Sequence, residues 1–159
     1  MVDEACMRIA LEEAAIAASE GEIPVGAVVA RGGEILARTH NLCETRGLAS
    51  EHAEMLAIRE ASERLGSWRL SDCTLYVTLE PCPMCAGCAI HARVGRIVFG
   101  ARDPRAGACG SVVNLPSYPL ESKPICEGGL YAEESLALLR SFFAKKRSTK
   151  REKQENNGL

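Results

Sequence analysis

Hydrophobic and polar positions alternate along this chain with two different periods, and the switches between them lay out the elements. Over residues 3–19, Cys6, Ile9, Ala10, Ala14, Ile16 and Ala17 recur at helical spacing, with Arg8, Glu12 and Glu13 on the remaining surface. That spacing predicts a helix stopped by Gly21. Residues 25–30 and 34–39 are short apolar stretches joined by Arg31-Gly32-Gly33, a hairpin signal in which the glycines supply positive φ. After a polar loop, Ser50 is placed to cap a helix running to about Leu65, with Met55, Leu56 and Ile58 on its buried side and Gly66 at its end. His52 and Glu54 fall in its first turn. The stretch CTLYVTL, residues 73–79, is rich in β-branched and aromatic residues and predicts a strand, and Pro81 opens the next helix, where its missing N–H costs nothing. Residues 96–100 predict another strand. Strand, helix of about ten residues and strand make a right-handed crossover with parallel strands, so the sheet is mixed and covered by helices, an α/β sandwich.

Pro116, Pro119 and Pro124 mark residues 103–123 as mostly loop, and Ile125 and Cys126 predict a short strand. Residues 132–144 read as a closing amphipathic helix through Leu136, Leu139 and Phe143. No internal repeat or interdomain linker interrupts the pattern. The expectation is one domain over residues 1–144, followed by a basic, frayed tail over residues 145–159.

Composition narrows the class without naming a function. The 159 residues are 47% hydrophobic and 25% charged, which excludes a disordered, collagen-like or coiled-coil chain. No apolar run approaches the roughly 18–20 residues of a membrane helix, and the first residues carry acids where a signal peptide carries bases. A cytoplasmic protein that touches no membrane is expected. In that reducing setting, eight cysteines suggest metal or chemistry rather than disulfides. Charge is unevenly placed. Lys145, Lys146, Arg147, Lys150, Arg151 and Lys153 face only Glu152 and Glu155, so the tail is positive and the body more negative than the overall −2. Such an end is either solvated or a contact for nucleic acid.

Two segments carry the chemistry: His52-Ala53-Glu54 and, thirty residues on, Pro81-Cys82-Pro83-Met84-Cys85. Both fall at helix N-termini. Cys82 and Cys85 at i and i+3 project the same way, where the helix dipole and free N–H groups stabilise thiolates. One imidazole and two thiolates make three zinc ligands, and a zinc site with three protein ligands keeps its fourth position open, as catalytic sites do. Bound zinc lowers the pKa of water toward 7, and Glu54 is a carboxylate placed to move protons rather than to bind metal. Other readings stand beside this one. A C-x-x-C pair also serves as a redox dithiol, and one of Cys6, Cys43, Cys73, Cys109 or Cys126 as a fourth ligand would make a closed structural site. Cys88 extends the pattern toward an iron–sulfur spacing, but position 92 is Ala, and helical rotation turns Cys88 away, so it reads as a small core residue. His91 reads as a surface or interface histidine.

These segments together resemble the zinc-dependent nucleobase deaminases, whose signature is H-x-E…P-C-x-x-C. The resemblance extends to Ile23-Pro24-Val25-Gly26-Ala27, to Ala86-Gly87, and above all to the run from Val98 to Gly107, VFGARDPRAG, which is similar to the tRNA-specific adenosine deaminases of this group. It runs from the first helix to about Phe143. It implies a three-layer α/β/α sandwich around a central mixed five-stranded sheet, the cytidine deaminase-like fold. It implies one zinc ion per chain held by His52, Cys82 and Cys85, with Glu54 as proton shuttle. Asn41 matches a residue that hydrogen-bonds the flipped-out base, the Ala53 backbone lines the same pocket, Pro24 and Pro81 match pocket walls, and Asp103 matches a contact to a neighbouring sugar. The implied reaction is hydrolytic deamination of adenosine to inosine at the tRNA wobble position, by a homodimer. Deamination of a free guanine, cytosine or cytidine is the alternative within the same chemistry, and a non-enzymatic zinc or redox module lies outside it. The segment from Asn114 to Glu121 departs from the family pattern.

Overall fold

The computed structural model describes residues 1–158. Its elements are α1 (Val2–Ser19), β1 (Gly26–Arg31), β2 (Glu34–His40), α2 (Cys43–Arg46), α3 (Ala53–Leu65), β3 (Thr74–Leu79), α4 (Pro83–His91), β4 (Arg96–Ala101), β5 (Ile125–Gly128) and α5 (Ala132–Asn157), with a 3-10 turn at Leu115–Ser117 before β5. The strands form one sheet in the order β2-β1-β3-β4-β5. β1 pairs antiparallel with β2 and β3, while β3–β4 and β4–β5 are parallel. The mixed sheet inferred from the strand–helix–strand pattern is thus present, with the five strands that the resemblance implies. Gly32 and Gly33 sit at φ 56° and 88° in the β1–β2 turn, a backbone that residues with a Cβ resist.

Alternation along the strands supplies two cores. Ala27, Val29, Leu75, Val77, Ile97 and Phe99 point to one face and pack against Ala53, Ala57 and Ala61 of α3 and Ala86 and Ala89 of α4. Val28, Ala30, Tyr76 and Val98 point to the other and meet Cys6, Met7 and Ala10 of α1. Helices therefore lie on both faces, giving three layers. Phe99 is 1% exposed at the centre of the larger core, and its truncation to Ala would cost about 3–5 kcal/mol. No helix among the described residues is long and apolar enough to cross a membrane.

Several boundaries differ from those the sequence suggests, each for a local reason. His52, not Ser50, is the N-cap of α3, and it makes no side-chain cap hydrogen bond because its ring is turned toward two cysteines. Cys82 caps α4 and Pro83, not Pro81, takes the first helical position. The polar loop after β2 holds the one-turn helix α2. The largest difference is at the end of the chain. The closing helix continues past Ala144 to Asn157, because the Lys-, Arg-, Glu- and Gln-rich run contains no Gly or Pro to break it. The basic residues thus ride on helix rather than on a frayed tail. On the same helix Leu136 and Leu139 are only half-buried and Phe143 is 37% exposed, so this apolar stripe faces an open groove instead of the core.

Candidate active site

The N-termini of α3 and α4 meet beyond the carboxyl end of β3, and everything chemical converges there. His52 caps α3, so Glu54 is its second helical residue, and Cys82 caps α4, so Cys85 lies one turn inside. The His52 Nδ1 lies 3.5 Å from the Cys82 Sγ and 3.4 Å from the Cys85 Sγ. With Zn–N near 2.0–2.1 Å and Zn–S near 2.3 Å, two ligands of a tetrahedral zinc stand about 3.5 Å apart, so the donors present fit that ion. They are the only group of three or more metal-type donors in reach of one ion among the described residues, and no fourth donor joins them. That geometry leaves a closed four-ligand site without its last ligand. Cys88 is half-buried against the core and outside the cluster. His91 is exposed and stacks on Trp68.

Charge within the site is set by proximity. A hydrogen bond from the Cys85 thiol outweighs burial and, with His52, draws the Cys82 thiol down to about 4. Cys85 is pushed up, first by Cys82 and then by burial. Contact with Cys82 raises His52 above its usual value. Burial lifts the Glu54 carboxyl to about 7, at 4% exposure and against Cys85. A carboxyl poised near neutrality both accepts and donates a proton there.

The cluster floors a pocket of about 150 Å³ lined by Ile23, Val25, Asn41, His52, Ala53, Glu54, Leu79, Glu80, Cys82, Asp103 and Ala106. That is below the roughly 300–1,000 Å³ of pockets for drug-sized ligands, and suits a single flat ring system. Ala53 is fully buried, and its carbonyl accepts from Thr39 Oγ1 at 2.7 Å, which pins the start of α3 to β2. Asn41 is 7% exposed, with its Oδ1 accepting from the Cys43 N–H at 3.3 Å. Asp103 Oδ1 accepts from the N–H groups of Arg105 and Ala106, which makes its loop a tight turn. The structure thus gathers Asn41, His52, Ala53, Glu54, Cys82 and Asp103 around one space, with Cys85 beneath it. Pro24 and Pro81 are buried behind it, and their neighbours Ile23, Val25, Glu80 and Cys82 line it.

Among the buried carboxylates that escaped sequence reasoning, two shape the walls of the pocket. Glu22, fully buried, accepts from the N–H groups of Glu44 and Thr45 at 2.9 and 2.8 Å and so fastens α2, the turn after Asn41. Glu80 does the corresponding work for the loop of Asp103. A glutamate after an apolar strand carries no periodic signal that it will turn inward. Also unanticipated is a groove of about 620 Å³ that shares Ile23, Leu79, Asp103 and Ala106 with the pocket. Leu136, Leu139 and Phe143 give it an apolar side, and Arg102, Arg105, Arg140 and Arg147 surround it.

Comparison with known proteins agrees with this geometry. Residues 1–147 match the MafB19-like deaminase family. The chain is 46% identical over 155 residues to the tRNA-specific adenosine deaminase of Bacillus subtilis, covering 97% of this chain and 96% of that one. Among solved structures, one from work on A-to-I editing by tRNA:A34 deaminases at the wobble position aligns with a TM-score of 0.83 at 41% identity, covering 85% of this chain and 99% of that one. A guanine deaminase from Nitrosomonas europaea aligns at 0.74 with 27% identity, covering 89% and 84%. With this match in sequence and in fold along nearly its whole length, the chain belongs to the MafB19-like deaminases and, among them, to the family of the tRNA-specific adenosine deaminases.

Proposed function

We propose that this protein converts adenosine to inosine at the wobble nucleotide of a tRNA anticodon, by hydrolysis, using one zinc ion per chain. What carries the reading is a pocket for one flat base, floored by His52, Cys82, Cys85 and Glu54, that opens into a groove with four arginines. His52, Cys82 and Cys85 would hold the zinc, which when bound supplies Lewis acidity that brings a water's pKa toward neutrality. Glu54 takes the proton from the attacking water, delivers it to the purine ring nitrogen as oxygen adds at C6, and carries the next proton to the leaving amine. Water enters, ammonia leaves, and the carboxyl returns to its starting state. Asn41 and the Ala53 backbone hold the base, and the N–H groups at the start of α4 face the developing charge. Asp103 serves the sugar of a neighbouring nucleotide. The groove offers arginines to phosphates and the exposed Phe143 ring as a surface on which a flanking base stacks.

The action belongs in the cytoplasm, where tRNA is modified, and in a homodimer. α4 turns Met84 and His91 outward, and the segment packed on it exposes Val112, Val113, Tyr118 and Leu120, an apolar surface that suits a second copy. The likeness to a guanine deaminase keeps a free-base substrate as the second reading. A free base has no use for the arginine-lined groove. The deciding assay incubates zinc-loaded protein with tRNA and, separately, with adenosine, guanine, cytosine and cytidine, and reads inosine and ammonia. Inosine from tRNA alone is the expected result, and ammonia from a free base with none from tRNA would reverse the assignment.

A further inference from the structure

We propose that Glu80 is a positioning residue for substrate recognition, whose buried carboxylate holds the 103–111 segment closed as the outer wall of the pocket. Its Oε1 accepts from the Asp103 N–H at 3.2 Å and from the Ser111 hydroxyl, and its Oε2 from the N–H groups of Cys109 and Ser111 at 3.0 and 3.1 Å. Four donors occupy the roughly four lone-pair sites of a carboxylate, so none remains for substrate and Glu80 acts through the chain it holds. Its own N–H is bound to the Ala101 carbonyl at 2.8 Å, which anchors the knot to the end of β4. The segment wraps tightly enough that a methyl group at Gly107 would overlap the Glu80 carboxylate, and Gly107 itself donates to the Asp103 carbonyl at 2.9 Å. Held this way are Asp103 and Ala106, which line the pocket, and Arg105, which lines the groove. The metal donors are fastened separately, by α3 and α4, so the two functions are separable although Glu80 and Cys82 are two residues apart.

The kinetic arm of the test rests on tRNA being the substrate; the exchange arm does not. Glu80→Gln replaces one acceptor oxygen with an NH2 that faces N–H donors. It should raise the KM for tRNA by about tenfold or more, with kcat within about threefold and zinc still near one per chain. Ser111→Ala keeps the carboxylate and three of its donors, and should raise KM in the same direction by less, with unchanged melting. If Glu80→Gln does not fold, Ser111→Ala decides. Amide hydrogen exchange, read without substrate, should speed up over residues 103–111 and stay unchanged at the starts of α3 and α4. A wild-type protein that makes no inosine from tRNA would overturn the substrate and leave the exchange result to judge Glu80. Unchanged KM and exchange in both variants, or zinc loss with Glu80→Gln, would overturn the positioning role.

Discussion

The side of the pocket that carries His52, Glu54, Cys82 and Cys85 stands on the first turns of two helices, whose backbones are set by their own hydrogen bonds and by an alanine-lined core. The side that carries Asn41, Asp103 and Ala106 is irregular chain, and it keeps its shape because buried carboxylates, Glu22 and Glu80, collect its N–H groups. Chemistry needs its groups fixed to a fraction of an ångström, and helix starts provide that along with favourable dipoles. Recognition of a particular nucleic acid can vary with loops while the helices stay. The likeness of this chain to both a tRNA deaminase and a guanine deaminase fits that division, since one helical frame admits different outer walls.

The sharpest way to break the comparison is to remove a donor from the helical side. Cys85→Ala should lose zinc and all measurable turnover, whereas Cys88→Ala, three residues on and outside the cluster, should keep about one zinc per chain and most activity. Metal analysis after gel filtration checks both, and equal zinc loss would mean that the site extends to a third cysteine. Glu54→Ala comes next. On the proposed reading the carboxylate moves protons, and it stands outside the donor set, so the variant should keep its zinc and lose about a thousandfold or more in kcat. Zinc loss there would show that Glu54 is a ligand and that the two roles are not divided as described.

How much of each side could be read beforehand follows the same division. The spacing of Cys82 and Cys85, and the His52-x-Glu54 pair, are legible because a helix start converts sequence offsets directly into directions in space. Resemblance supplied Asn41 and Asp103, but nothing in the pattern marks Glu22, in the loop after α1, or Glu80, at the end of β3, as inward-facing, since glutamates usually point to water. α5 shows a second limit. Its Leu136, Leu139 and Phe143 stripe has the period of a core helix, and periodicity reports an apolar face without reporting what covers it. The tail reads as frayed because charge runs often are, yet a run of good helix formers attached to an existing helix needs no new nucleus.

That continuous helix gives the third prediction, smaller in effect. Truncation after Ala144 removes Arg147 from the groove, along with the lysines that ride beyond it beside the end of α1. Lost phosphate contacts should weaken tRNA binding by about tenfold at moderate salt, and flatten the salt dependence by roughly one unit of slope for each contact removed. Single-turnover deamination at saturating tRNA should change little, because Glu54 and the metal donors lie elsewhere. Unchanged affinity and slope would leave tRNA to the arginines of the body, Arg102, Arg105 and Arg140.

The smallest effect concerns how the recognition side is tied down at β2, the strand that leads into Asn41. The His40 ring bridges from that strand to α1, with Nδ1 2.7 Å from Glu13 Oε2 and Nε2 2.8 Å from Glu20 Oε2. Burial alone would lower the pKa of the ring, but hydrogen bonds to the two carboxylates outweigh it and hold the value above the usual 6.5. A histidine whose pKa is raised by folding contributes its full stabilisation below the unfolded value, and that contribution fades as pH rises through the folded one. His40→Gln should therefore lower the melting temperature by a few degrees near pH 6 and by progressively less toward pH 9. Glu13 keeps its partner Arg38, at 2.8 Å, throughout that range, so β2 stays docked on α1 in the variant. Zinc content and kcat should match wild type, because the clasp touches neither α3 nor α4. An equal deficit at both pH values would mean that the ring works as a neutral hydrogen-bonding spacer, and a fall in zinc would show that the two sides of the pocket are mechanically coupled through Asn41.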